Sequence, residues 1–236
     1  MSSIAEPPLD CPVLEKPCTV VLLEDFWLYH PRSWHETFQS SVPSRHGMSY
    51  GSLTVDDDDD DDDDDGSHHQ GFDDLLQHVK DELPPIHDAV LIARGPIASW
   101  MALFYLESFS LLGLVMVDPL QLDQEHLQHE TAVDELFALQ SDKSDSTSHD
   151  ESIDFKRYRS LIKEASTKEL KLEPNSVPIM VIQTVDSPLF RDNCKTVAER
   201  HSNSNGPHGQ VPIHQAFGKD PEYVMEVVDH WVEPIL

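Results

Sequence analysis

Fourteen histidines, three cysteines and 44 acidic residues carry most of the chemistry open to this 236-residue chain. His126 and His129 stand three residues apart on a stretch of helical periodicity, with Glu125 and Glu130 beside them. Such a face can hold zinc once a third ligand joins it. None with suitable spacing follows, so the stretch is expected to be a solvated helix face, and we expect no metal site. His30, His35, His46, His68, His69, His78, His149, His201 and His208 are scattered. Cys11, Cys18 and Cys194 form neither a metal motif nor a disulfide framework, which argues for a reducing compartment. The unbroken run Asp56–Asp65 is a cation attractor. It has no turn-forming glycine at fixed spacing to shape a calcium cage. Ten adjacent like charges have nothing apolar to bury, so 56–70 is expected to be a disordered acidic insertion. A sharper reading makes it a sensor for cations or basic proteins, helped by His68 and His69.

The formal charge is −28, and without the Asp run the remainder still carries −18. A surface of that sign repels phosphodiester backbones and anionic headgroups, so neither nucleic acid nor membrane is expected as a partner. A basic protein or a small-molecule ligand is. The first twenty residues lack a basic start and a continuous apolar core, and no apolar run approaches the roughly 20 residues of a membrane span. These features predict a cytoplasmic protein. No cofactor motif stands out, and none is expected.

Buried-strand patterns alternate with amphipathic ones, which predicts a mainly parallel sheet covered on both faces. Strands are expected at 19–26, 49–55, 88–94, 111–119 and 177–186. Helices are expected at 72–83, from Pro96 to about Ser108, near 124–140, at 153–165, at 189–200, and after Asp220, a good N-cap followed by Pro221. Polar residues at 141–152 and 201–210 are expected as loops.

Certain residues in this series resemble the α/β-hydrolase superfamily of esterase and lipase type, over about 19–119 and 177–236. VVLLEDF followed by Trp34 is similar to its early strand and tryptophan. DAVLIARGPIASWMALFYLESF is similar to its nucleophile strand, elbow and helix. Val117-Asp118-Pro119 matches a common strand ending. VPIMVIQTVDSPLF is similar to the strand before the triad acid, and His214 precedes the last helix at the distance typical of the catalytic histidine. The resemblance implies a three-layer α/β sandwich over 19–236. It also implies a small cap at 120–176 and leaves 1–18 as an N-terminal extension.

The same resemblance exposes what is missing. The mechanism needs a nucleophile on a G-x-S-x-G elbow; this chain reads Ala93-Arg94-Gly95-Pro96-Ile97. Gly95 has no nucleophilic side chain. Pro96 has no N–H to offer an oxyanion. Glu24-Asp25 stands where the family carries His-Gly, and two carboxylates would repel a developing oxyanion. Ile97 replaces the glycine that lets the elbow pack tightly, which suggests a relaxed turn. Ser99 is expected to pack, Cys194 to be an inert thiol, and Asp118 to cap its strand. Asp186 and His214 are the remaining triad positions, and their expected role is a structural prop or a solvent-facing pair. These features predict a non-catalytic hydrolase-like protein that binds a small molecule or a protein partner. The alternative is an active hydrolase in which Asp186 and His214 activate water.

Overall fold

The computed structural model describes residues 4–8, 10, 12–25, 28, 33–55, 71–83, 87–122, 131, 133–135, 138 and 151–236. The Asp56–Asp65 run, His68, His69, His126, His129 and Cys11 lie outside the described residues, as does most of the 124–140 helix expected from sequence.

Six strands form one sheet: β1 (Thr19–Asp25), β2 (Ser49–Val55), β3 (Ala89–Arg94), β4 (Gly113–Val117), β5 (Ile179–Gln183) and β6 (Ile213–Gln215). Their order is β2-β1-β3-β4-β5-β6, and every neighbouring pair is parallel. Strands β1, β3, β4 and β5 read as continuous apolar runs because both of their faces are covered.

The twofold alternation along each strand divides the core in two. Val21, Leu23, Leu91, Ala93, Leu114, Met116 and Val181 face one side. There they meet α2 (Phe72–Glu82), α3 (Pro96–Leu106), α4 (Glu151–Ser166) and α5 (Pro188–His201). Val20, Leu22, Val90, Ile92, Val115, Val117 and Ile182 face the other, against α1 (His35–Ser41) and α6 (Pro221–Val232). The result is a three-layer α/β sandwich.

Helix α3 is apolar all round, with Pro96 through Tyr105 buried, because it is wedged between the sheet and α4. The Trp100 indole N–H donates to the Ala165 carbonyl at 3.1 Å, which ties the two helices together. Ser187 and Asp220 cap α5 and α6, accepting from the N–H groups of Leu189 (3.2 Å) and Tyr223 (2.9 Å), each with a proline at the first helical position.

Two elements had no counterpart in the sequence reading. Helix α1 follows Trp34 directly, and β6 is a three-residue strand with all its side chains exposed. Neither is long or periodic enough to stand out. The expected strand at 49–55 has the observed bounds, and the other four spans were too generous at one or both ends, because the flanking residues complete turns rather than ladders. The N-terminal segment covers part of the outer edge of β2, where Ala5 and Tyr50 exchange two backbone hydrogen bonds of 2.8 Å. No described helix is long and apolar enough to cross a membrane.

Helix α6 presses on the sheet at Gly113, where an added Cβ would lie 2.8 Å from Trp231 Cη2. Gly113→Ala should therefore displace the indole and lower unfolding stability by about 1–3 kcal/mol, read by chemical denaturation followed by tryptophan fluorescence. Unchanged stability would mean that the ring is free to move aside.

Candidate functional site

The turn between β3 and α3 is the centre of the site. Gly95 sits there at φ 104°, ψ 166°, a conformation open only to glycine without strain. Its N–H donates to the Val117 carbonyl and its carbonyl accepts from the Ser99 N–H, both at 2.9 Å. The turn is sharp, with its glycine at positive φ. Ile97 is fully buried beside it.

A helix start leaves its first N–H groups without intrahelical partners. Pro96 removes one of these donors. The next two point at Asp25. Its carboxylate accepts from the Ile97 N–H at 3.0 Å and from the Ala98 N–H, and the Tyr158 hydroxyl of α4 donates to it at 2.6 Å. Where hydrolases of this architecture keep backbone donors free for a substrate oxyanion, the start of α3 holds the chain's own carboxylate. Asp25 is fully buried. Loss of hydration pushes its pKa up to about 7, while the hydrogen bonds from Tyr158, Ala98 and Ile97 pull it down.

Glu24, next in the chain, points the other way. Its carboxylate accepts from Arg94 Nη1 at 2.6 Å, from the Trp34 N–H at 3.1 Å and from the Ser33 hydroxyl at 2.5 Å. Arg94 also lies over the Trp34 ring, 4.0 Å from its centroid. Glu24 is thus paired with an arginine and Asp25 with a helix start, while the charge of Glu24 still adds to the rise in the Asp25 pKa. Strand register explains the first pairing, because Glu24 and Arg94 are direct partners across β1 and β3. Opposite charges ending two adjacent buried strands were the available signal for Arg94. Tyr158 had none, since nothing in the sequence says where α4 docks.

Asp118 does end its strand, as expected, and does more. Buried and at φ 50°, it accepts from the Thr184 N–H (2.7 Å), the Thr184 hydroxyl and the Val185 N–H (3.2 Å). It thereby stitches the ends of β4 and β5 together. Burial pushes its pKa up.

Asp186 and His214 both face solvent. Asp186 is exposed, with its nearest cation Arg191 at 3.7 Å. His214 is exposed on edge strand β6. No hydrogen bond joins the two among the described residues. Ser99 is buried, and its hydroxyl donates to the Ala93 carbonyl at 3.4 Å, a packing contact. Cys194 is fully buried, and burial pushes its thiol pKa up, away from thiolate chemistry. No group of three or more metal-ligating side chains exists among the described residues. A cleft of about 400 Å³ opens at the far end of the sheet between α5 and β6, lined by Gln183, Arg191, Lys195, Ile213, His214 and Gln215.

A thioesterase of the prodiginine pathway of Streptomyces coelicolor superposes over 97% of this chain and 96% of its own, with TM-score 0.59 and 12% identity. The chain has the α/β-hydrolase fold. MenH from S. aureus covers 99% and 97% at TM-score 0.54 and 15% identity. A carboxyl esterase of the fungus Tuber melanosporum covers 98% and 80% at 0.55 and 11%. No family model and no curated protein sequence matches the chain.

Two buried groups titrate in opposition. Asp25 has its folded pKa raised, so its contribution to stability is full below about 4 and is lost as pH rises through about 7. His201 is buried, neither ring nitrogen has a hydrogen-bond partner among the described residues, and burial followed by the nearby Arg200 charge lowers its pKa to about 4. Its contribution is full above about 6.5 and is lost as pH falls toward 4. Between pH 4.5 and 6 the two slopes, each about 1.4 kcal/mol per pH unit at most, oppose each other. Asp25→Asn should therefore make unfolding free energy rise more steeply with pH over that window than in the wild type, and His201→Leu should make it fall. Denaturant unfolding at several pH values checks this; parallel profiles for all three proteins would refute it.

Proposed function

We propose that this chain is a non-catalytic protein on the α/β-hydrolase fold, serving to bind a small molecule or a protein partner rather than to cleave an ester. One observation carries the reading: the strand-to-helix turn presents a glycine, and the helix start behind it is occupied by Asp25. Covalent catalysis needs a nucleophile with a base in reach. Gly95 supplies none, and Ser99 and Cys194 are buried without a base. Loss of one oxyanion donor typically costs a factor of about 10²–10³ in kcat. Here Pro96 lacks its donor, and a carboxylate would oppose any oxyanion brought near Ile97 and Ala98. No hydrogen bond joins Asp186 to His214 among the described residues, and both are exposed, which supports the same reading. The neighbours of similar fold are a thioesterase and an esterase by name, which is said of them; this chain keeps their scaffold without the elbow nucleophile.

The wild type should neither label with a fluorophosphonate probe nor hydrolyse short-chain p-nitrophenyl esters above the buffer rate. Turnover or labelling that His214→Ala abolishes would overturn the reading and return the search to Ser99 and Cys194.

A further inference from the structure

The cleft between α5 and β6 differs in charge from the rest of the molecule. The chain as a whole carries −28, yet this cleft is lined by Arg191, Lys195 and His214 and by no carboxylate. The fold makes the grouping. Arg191 and Lys195 are four residues apart and so share one face of α5. His214 comes from β6, the edge strand paired to β5. The acids nearest the two cations are held loosely: Asp186 lies 3.7 Å from Arg191 and Glu199 3.7 Å from Lys195, with all four side chains more than half exposed. Pairs of that kind contribute little and are easily exchanged for a better anion.

A second observation is independent of charge. Gln183 ends β5 and lines the same cleft. Its amide nitrogen donates to the Val185 carbonyl at 2.7 Å and the Ser187 carbonyl at 3.3 Å, which fixes the orientation of the amide. Its Oε1 is left buried without a donor. A buried acceptor in that condition is uncommon and marks a place where a donor is lacking.

From these two observations we propose that the cleft is a binding site for a small phosphomonoester that carries a hydroxyl group beside its phosphate. Two permanent cations match a dianion better than a carboxylate. The planar guanidinium of Arg191 can contact two phosphate oxygens at once, and Lys195 and His214 supply further donors. The ligand hydroxyl is the donor that Gln183 Oε1 lacks. The proposal rests on the binding reading above and names its ligand class.

Amide NMR titration of the full chain tests it, with glycerol 3-phosphate, methyl phosphate and acetate as probes. Glycerol 3-phosphate should give saturable shifts at residues 183, 191, 195 and 213–215, with a Kd of about 1 mM or below. Methyl phosphate should bind more weakly and acetate more weakly still. Arg191→Ala combined with Lys195→Ala, both exposed and safe for folding, should weaken binding about tenfold. Absence of shifts at these residues up to about 50 mM probe, or an unchanged Kd in the double variant, would overturn the site. Equal affinity for acetate would overturn the phosphate assignment, and equal affinity for methyl phosphate the hydroxyl. The ester assay is separate: inert esters with no phosphate binding would remove the site and leave the non-catalytic reading. Ester turnover beside intact phosphate binding would do the reverse.

Discussion

The interaction on which the functional region depends is the carboxylate of Asp25 held at the start of α3. It joins three elements at one point: the end of β1, the first turn of α3 and the middle of α4 through Tyr158. A helix start has unsatisfied N–H groups and a partial positive charge. In a hydrolase those groups face a cavity and await a substrate. Here the N–H groups of Ile97 and Ala98 are satisfied from within, and helix α4 is tied to the same carboxylate. The helix start of this chain holds an internal contact. That contact is costly to hydrate or remove, because a buried donor left unpaired costs roughly 1–3 kcal/mol.

Around that contact the charged residues at the strand ends are arranged in pairs or networks. Glu24 lies between Arg94, Ser33 and Trp34, and Asp118 binds the backbone beyond β5. In an active enzyme the carboxyl ends of parallel strands bring reactive groups into a crevice. In this chain Glu24, Arg94 and Asp118 at those ends use their polar atoms on each other or on the backbone. A cleft lies at the edge of the sheet, between α5 and β6. His201 and Gln183 are exceptions within the core: both imidazole nitrogens of the one and Oε1 of the other are buried without a hydrogen-bond partner among the described residues. They show that not every polar group in this molecule has been accommodated.

The sequence by itself determined the layered α/β architecture and most helix and strand positions. The physical reason is that these properties are local. Apolar runs of five or six residues bounded by glycine and proline fit strands covered on both faces, and Gly95-Pro96 offers no side-chain nucleophile and, at Pro96, no N–H wherever the turn lies. Side-chain partnerships across the sheet were not local, and the tertiary structure alone decided them. Glu24 and Asp25 were read as one acidic pair because they are adjacent. The period of two along a strand sends them to opposite faces, where one meets Arg94 and the other the start of α3. Asp186 and His214 occupy matching sequence positions, yet the loop after β5 carries the acid out to solvent while β6 carries the histidine to the edge. The cationic cleft depended on the pairing of β6 with β5, which a three-residue strand with exposed side chains does not announce in its sequence.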